Sequence, residues 1–257
     1  MGKVIVITGG ASGIGKSTAE LLISKGHTVV VIDKSKGAEY VADITSDEQV
    51  KSAFDDIGAK YGKIDVLINN AGFGLNGVME LIPMDKIKQE YEVNLFGTIR
   101  CTKAALPYMT KGSRIINIGS AMVFLPMPYR SMYASSKGAV VTMSYSLRNE
   151  LKGAGIDVVV VNPANIKTNF TANKQVVVET NERYGDRPSK AQERFDNEKA
   201  ENKRIPAIKV AKALAKICVK KRTRPMYIVG ANMKCAYFFM KFVPLKWVLN
   251  LTGKVCN

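Results

Sequence analysis

Five short runs of mostly β-branched residues limit the folds open to this chain more than any other feature. They are Val4–Ile7, Thr28–Ile32, Val66–Ile68, Arg114–Ile118 and Asp157–Val161. Near-continuous apolar runs suit strands covered on both faces, as in a parallel sheet; a sheet with one wet face would alternate apolar and polar residues. Between the runs lie segments of helical pattern: Gly13–Ser24, Asp47–Tyr61, Lys86–Met109 and Tyr133–Leu151. This alternation predicts an α/β fold, a doubly wound parallel sheet with helices on both faces. The 257 residues fit one such domain with a sizeable core. No internal repeat or composition shift marks a second domain before Pro163.

The rare residue types exclude whole classes of chemistry. The four cysteines (Cys101, Cys218, Cys235 and Cys256) form no CxxC pair, and His27 is the single histidine, so no metal site is expected. His27 lies in a helix-to-strand turn and reads as a surface residue with no chemical role. Acid–base plans that need a histidine, such as Ser-His-Asp, are therefore absent. Proton transfer falls to Tyr, Lys, Asp, Glu or Cys. The cysteine spacing suggests reduced thiols and a cytoplasmic compartment. The first apolar run stops at Thr8-Gly9-Gly10, too short for a secretory core of about 7–15 residues, and is expected to be a strand.

Charge is distributed unevenly. The chain carries +16, yet Lys203–Asn257 holds 13 basic residues and no acidic one. An asymmetry of this kind predicts a local anionic partner.

Thr8-Gly9-Gly10-Ala11-Ser12-Gly13-Ile14-Gly15 follows a strand and opens a helix. Its glycines permit a tight turn and close backbone approach to a pyrophosphate, and the helix N-terminus supplies free N–H groups. The second strand ends at Asp33, eighteen residues after Gly15. A carboxylate there suits the adenosine ribose hydroxyls and repels a 2′-phosphate. NAD is therefore expected over NADP, although Lys34 and Lys36 lie nearby.

Three motifs in this order resemble the short-chain dehydrogenases/reductases: the glycine spacing above, Asn69-Asn70-Ala71-Gly72, and Tyr133-Ala134-Ser135-Ser136-Lys137. The resemblance runs from Lys3 to about Val229. It implies a Rossmann fold with a seven-stranded parallel sheet, a nicotinamide cofactor, and interconversion of alcohols and ketones. It further implies that Gly9, Ser12, Gly13, Ile14, Gly15 and Asp33 hold the cofactor, and that Asp43 and Ile44 flank the adenine. Asn70, Ala71 and Gly72 lie along it, and Pro163, Ile166 and Thr168 face the nicotinamide carboxamide. One departure is Ala164, where the family usually has glycine after the proline; its methyl narrows the substrate entrance.

Tyr133 and Lys137 are spaced i, i+4, so a helix puts them on one face. A phenol has a pKa near 10 and is a poor base at neutral pH; a neighbouring ammonium favours the phenolate. A tuned tyrosine then exchanges the substrate hydroxyl proton while hydride moves. Ser120, just past the fourth run, matches the family serine that holds the substrate oxygen. Asn94 matches the helix asparagine that anchors a water linking Lys137 to solvent. The tetrad Asn94, Ser120, Tyr133 and Lys137 is complete, which favours an enzyme over a non-catalytic nucleotide sensor.

Met122, Phe124 and Tyr129, with Ala164, are expected to border an apolar substrate cleft, along with Ser120 and Tyr133. Large apolar side chains suit a bulky hydrophobic substrate rather than a sugar. Asn70–Gly77 and Phe96–Arg100 are similar to the branch of hydroxysteroid and retinol dehydrogenases, which implies a hydroxysteroid, bile acid or comparable lipid. A 3-oxoacyl-carrier-protein reductase is the alternative. Thr168–Arg204 occupies the family's lid position, and one or two short helices are expected there. Homodimers or homotetramers are expected through the long helices. In Ala207–Arg224, Lys209, Lys212, Lys216 and Lys220 define one basic face. The tail, residues 231–257, is apolar and basic, with Pro244 breaking any spanning helix. It can dock on the domain or a second subunit, lie on an anionic membrane surface, or, with least support, meet nucleic acid.

Overall fold

The computed structural model describes residues 2–167, 174–197 and 204–256. In chain order the elements are β1 (Val4–Thr8), α1 (Gly13–Ile23), β2 (Thr28–Asp33), β3 (Tyr40–Val41), α2 (Asp47–Tyr61), β4 (Val66–Asn69), β5 (Leu75–Asn76) and α3 (Met84–Tyr91). A π-helical turn, Glu92–Gly97, joins α3 to α4 (Thr98–Ala105). There follow β6 (Arg114–Ile118), α5 (Ser131–Glu150), β7 (Asp157–Pro163), β8 (Ile166–Lys167), β9 (Gln175–Val176), α6 (Arg187–Asp196) and β10 (Ile205–Pro206). The last elements are α7 (Ala207–Val219), β11 (Met226–Val229), α8 (Ala231–Met240) and α9 (Leu245–Cys256).

Seven strands form one parallel sheet in the order β11-β7-β6-β4-β1-β2-β3. The doubly wound α/β expectation holds, and the short strand β3 supplies the seventh member. Successive residues of β1 serve opposite faces. Val6 joins a core with Phe54, Ile57, Leu67, Cys101 and Ile115, while Ile5 and Ile7 join a second core with Leu22, Ile68, Val210 and Leu214. This two-sided burial is why the strands read as continuous apolar runs.

One expectation is corrected. Lys86–Met109 is not a single helix: it divides into α3, the π turn, α4 and a short 3₁₀ turn at Leu106–Tyr108. Asn94 lies within this π turn and is fully buried. At the end of that turn Gly97 packs on Ile44, 2.5 Å from where a Cβ would stand, and Pro107 sits in the last turn. Of the lid segment, the described part holds β9 and α6, and Asn76 Nδ2 donates to Gln192 Oε1 at 3.1 Å, tying α6 to β5. Thr168 lies outside the described residues.

Candidate active site

The strand order reverses between β1 and β4, and a cleft of about 1140 Å³ opens beyond the carboxyl ends of the strands there. At its floor Gly9 adopts φ +65°, and a Cβ on it would stand 2.8 Å from Ala71 Cα. A Cβ on Gly15 would stand 2.2 Å from the Gly9 carbonyl oxygen. Only glycine lets this turn fold back on its own helix. Asn70 Nδ2 donates to the carbonyl oxygens of Thr8 and Gly9 at 3.0 and 2.9 Å, fastening the end of β4 to the turn. Ser12 is the N-cap of α1 but makes no side-chain capping bond, and no acid stands in the first turn. The first-turn N–H groups and the positive end of the helix dipole therefore remain available to an anion in the cleft. This cradle fits a dinucleotide pyrophosphate.

Two aspartates, Asp33 and Asp43, border the cleft as well. Asp33 Oδ2 accepts the Ala11 N–H at 3.1 Å and Oδ1 accepts the Ser35 N–H at 3.0 Å. Asp43 Oδ1 accepts the Thr45 N–H and hydroxyl at 2.9 and 2.8 Å, and the adjoining Ile44 is buried. Gly9, Ser12, Gly13, Ile14, Asp33, Asp43, Ile44, Asn70, Ala71, Gly72, Pro163 and Ile166 all border the cleft. Gly15 lies beneath the turn instead.

At the other end α5 carries Tyr133 and Lys137 on the cleft side, facing Ser120 beyond β6. The Ser120 hydroxyl hydrogen-bonds the Tyr133 phenol and accepts the Met122 N–H at 3.2 Å. Lys137 Nζ donates to the Ile118 carbonyl oxygen at 3.1 Å. Burial raises the Tyr133 phenol above its ordinary pKa; the Ser120 bond opposes this, the Glu90 charge adds to it, and Arg130 opposes it. Burial also brings the Lys137 ammonium down to about 8, against the upward pull of Glu90.

Asn94 stands behind this wall rather than in the cleft. Its Oδ1 accepts the Phe73 N–H at 3.0 Å; its Nδ2 donates to the Phe73 carbonyl oxygen at 3.0 Å and to Ser136 Oγ at 3.1 Å. It thus braces the Gly72–Phe73 backbone against α5. Its carbonyl oxygen accepts the Thr98 hydroxyl at 2.9 Å.

The expected substrate residues divide. Met122 and Ala164 border the cleft with Ser120 and Tyr133. Phe124 does not; its ring meets that of Tyr237 of α8 at a tilt of 56° with centroids 4.6 Å apart. Tyr129 does not either: it has φ +63° and borders a small separate cavity beside α6. Both lie in an irregular loop whose side-chain directions no periodicity encodes.

Glu90 is the residue that sequence reasoning missed. It is fully buried, Oε1 accepts the Leu75 N–H at 3.0 Å, and Oε2 is buried without a hydrogen-bond partner. Burial pushes its carboxyl up to about 7, opposed by the Leu75 bond and the Lys137 charge. Nothing in its sequence neighbourhood sets it apart from the other charges of α3. Lys209, expected on an outer basic face, also borders the cleft, as does Arg130. His27 Nδ1 accepts the Lys3 N–H at 3.2 Å, a structural role away from the cleft. Burial pushes Cys101 and Cys218 up to about 12, so neither is a thiolate near neutral pH.

A family model described as short chain dehydrogenase matches residues 3–177. The 3-ketodihydrosphingosine reductase of Bacteroides thetaiotaomicron is 38% identical over 194 residues, covering 72% of each chain. The 3-oxoacyl-[acyl-carrier-protein] reductase FabG of Thermotoga maritima is 36% identical over 66% of this chain and 76% of its own. Estradiol 17-beta-dehydrogenase 2 of Mus musculus is 35% identical over 68% of this chain and 51% of its own. Among solved structures, a short-chain dehydrogenase from Streptomyces avermitilis superposes with TM-score 0.81 at 24% identity, covering 94% of this chain and 93% of its own. The 3-ketoacyl-(acyl-carrier-protein) reductase from Brucella melitensis, complexed with NADH, gives 0.72 at 26% identity, covering 90% and 96%. The chain belongs to the short-chain dehydrogenase family. It is accordingly an oxidoreductase built on a Rossmann fold, and its cofactor class is a nicotinamide nucleotide.

Proposed function

We propose that the chain interconverts a secondary alcohol and a ketone on a bulky hydrophobic substrate, using NAD(H). The observation that carries this reading is the convergence of Ser120, Tyr133 and Lys137 on one end of a large cleft whose other end is a glycine turn with Asp33. When bound, reduced nicotinamide supplies a hydride to the carbonyl carbon. Ser120 holds the carbonyl oxygen through its hydroxyl. Tyr133 gives its phenolic proton to that oxygen, and the Lys137 ammonium stabilises the phenolate that remains. In the oxidative direction the phenolate takes the proton back. Asn94 acts at one remove, by holding the backbone at Gly72 and Phe73.

Asp33 supports NAD(H) over NADP(H), because its carboxylate is fixed by two N–H groups and a 2′-phosphate beside it is repelled. The substrate class we favour is a long-chain lipid ketone. Two of the relatives are named for a 3-keto or 3-oxo substrate, and Met122, Ala164 and Met233 bring apolar surface to the cleft. A hydroxysteroid or bile acid is the second reading, supported by the estradiol dehydrogenase relative. Arg130, Lys174 and Lys209 on the cleft wall suit an anionic group at the substrate's polar end. A homodimer or homotetramer through α4 and α5, in the cytoplasm, completes the reading. The test is nicotinamide absorbance with NADH and NADPH across 3-keto sphingoid bases, 3-oxoacyl thioesters and ketosteroids. Turnover of a lipid ketone with NADH supports it; turnover of none by a cofactor-saturated protein overturns it and favours a non-catalytic nucleotide sensor.

A further inference from the structure

Helices α8 and α9 turn large apolar side chains outward. Eight of the seventeen exposed large hydrophobic residues among the described residues fall within the fourteen positions from Phe238 to Leu251. Phe242 is 73% exposed, Leu245 and Trp247 68% each, Leu251 64% and Phe239 63%. An uncovered patch of this kind on a folded protein marks an interaction surface. It is held rather than loose: α9 packs on α6, its Val248 and Thr252 are buried, and the Phe238 and Phe242 rings meet at 5.4 Å.

Charge identifies the partner. Lys234, Lys241, Lys246 and Lys254 are exposed among these apolar residues, and no acidic residue occurs from Lys203 to Asn257. A second copy placed on this face would bring like charges together. An anionic lipid surface offers what the face lacks: an apolar layer for the aromatic side chains and negative headgroups for the lysines. Spanning is excluded by length, since α8 has 10 residues and α9 has 12, and no helix among the described residues is long and apolar enough to cross a membrane.

The face also adjoins the cleft. Ala231, Asn232 and Met233 at the start of α8 border it, and the Tyr237 ring one turn on meets that of Phe124, in the loop after Ser120, at a tilt. We propose that α8 and α9 lie in the plane of an anionic phospholipid surface, aromatic side down, with the cleft mouth beside the bilayer. The face then supplies a lipid substrate directly from the membrane. That supply depends on the hydrophobic-substrate reading; the adsorption itself does not.

Trp247 is the chain's single tryptophan, so its fluorescence reports the tail alone. Full-length protein is mixed with vesicles of phosphatidylcholine alone or with phosphatidylserine, at low and high salt. The proposal expects a blue shift and co-sedimentation with the anionic vesicles, weakened by salt and at least about tenfold weaker on neutral ones. Phe242→Ser with Leu251→Ser should lose binding about tenfold or more while melting normally and keeping wild-type activity on a water-soluble ketone. If wild-type protein binds neither vesicle, the proposal is wrong. If the double variant instead changes only the oligomeric state, the face belongs to a second copy and the proposal is likewise overturned. Vesicle binding by a protein that reduces no lipid ketone would preserve the docking face and sink the substrate reading alone.

Discussion

Glu90 and Lys137 are two buried groups, each of which opposes through its charge the shift that burial imposes on the other. The carboxyl is pushed up to about 7 and the ammonium brought down to about 8, both by burial, and each charge opposes the other's shift. Burial thus brings both toward neutral pH while it raises the Tyr133 phenol above its ordinary value.

Glu90→Gln keeps an acceptor for the Leu75 N–H and removes the negative charge. Without that charge the Lys137 ammonium loses its upward pull, so its pKa falls further below about 8. The alkaline limb of the pH profile for ketone reduction should move to lower pH. A profile of kcat/KM against pH checks this; an unmoved limb, or one moved upward, contradicts the coupling. Stability has its own sign. A carboxyl raised from 4.5 to about 7 favours the fold when protonated, a contribution present at low pH and lost as pH rises through about 7. Glu90→Gln should therefore raise Tm relative to wild type above about pH 7 and have little effect below 4.5.

Asp33→Ala should relax the preference for NAD(H), moving the ratio of kcat/KM for NADH over NADPH by about tenfold or more. Wild-type protein that prefers NADPH would mean that Lys34, which also borders the cleft, outweighs Asp33.

Gly72→Ala tests how closely the backbone must approach the catalytic groups. The new Cβ would stand 2.7 Å from Asn94 Oδ1 and 3.1 Å from Lys137 Nζ. Displacement of either by a fraction of an ångström should lower kcat by roughly 10²-fold with a small change in Tm. Wild-type kcat would show that the wall is looser than its contacts imply.

Asp157 tests stability at the opposite end of the sheet from the cleft. It accepts from Arg114 Nε at 3.1 Å, from Arg148 and from the Thr223 hydroxyl, while Arg114 Nη2 donates to the Lys220 carbonyl oxygen at 2.8 Å. Asp157→Ala leaves the buried Arg114 guanidinium without its carboxylate and should cost about 3–5 kcal/mol in denaturant unfolding. A loss below about 1 kcal/mol would place the pair among solvent-screened surface bridges.

Much of this arrangement is legible in the amino-acid order because burial on both faces leaves strands such as Val4–Thr8 and Asp157–Pro163 apolar throughout. The glycine turn is legible because its close approaches admit no other residue. Tyr133 and Lys137 are legible because a helix converts their spacing into a shared face. The break at Glu92–Gly97 is not, since the Lys86–Met109 segment carries a continuous helical pattern and the contacts of Gly97 with Ile44 and of Asn94 with Phe73 come from distant parts of the chain. Phe124 and Tyr129 also escape: their loop has no period, and Phe124 turns to a ring more than a hundred residues away in sequence. Glu90 looks like one acid among the charges of α3 until Leu75 and Lys137 enclose it.

The central claim is that Tyr133 is the proton-transferring group of a nicotinamide-dependent oxidoreductase. Tyr133→Phe keeps the ring and removes only the hydroxyl that meets Ser120. The direct measurement is NADH oxidation by this variant on a ketone that the wild type reduces, beside NADH binding followed by its fluorescence. The account predicts a fall in kcat of ~10²–10⁴-fold with nearly unchanged NADH affinity. Turnover within about tenfold of wild type would contradict it, because general acid–base catalysis by that phenol would then contribute too little.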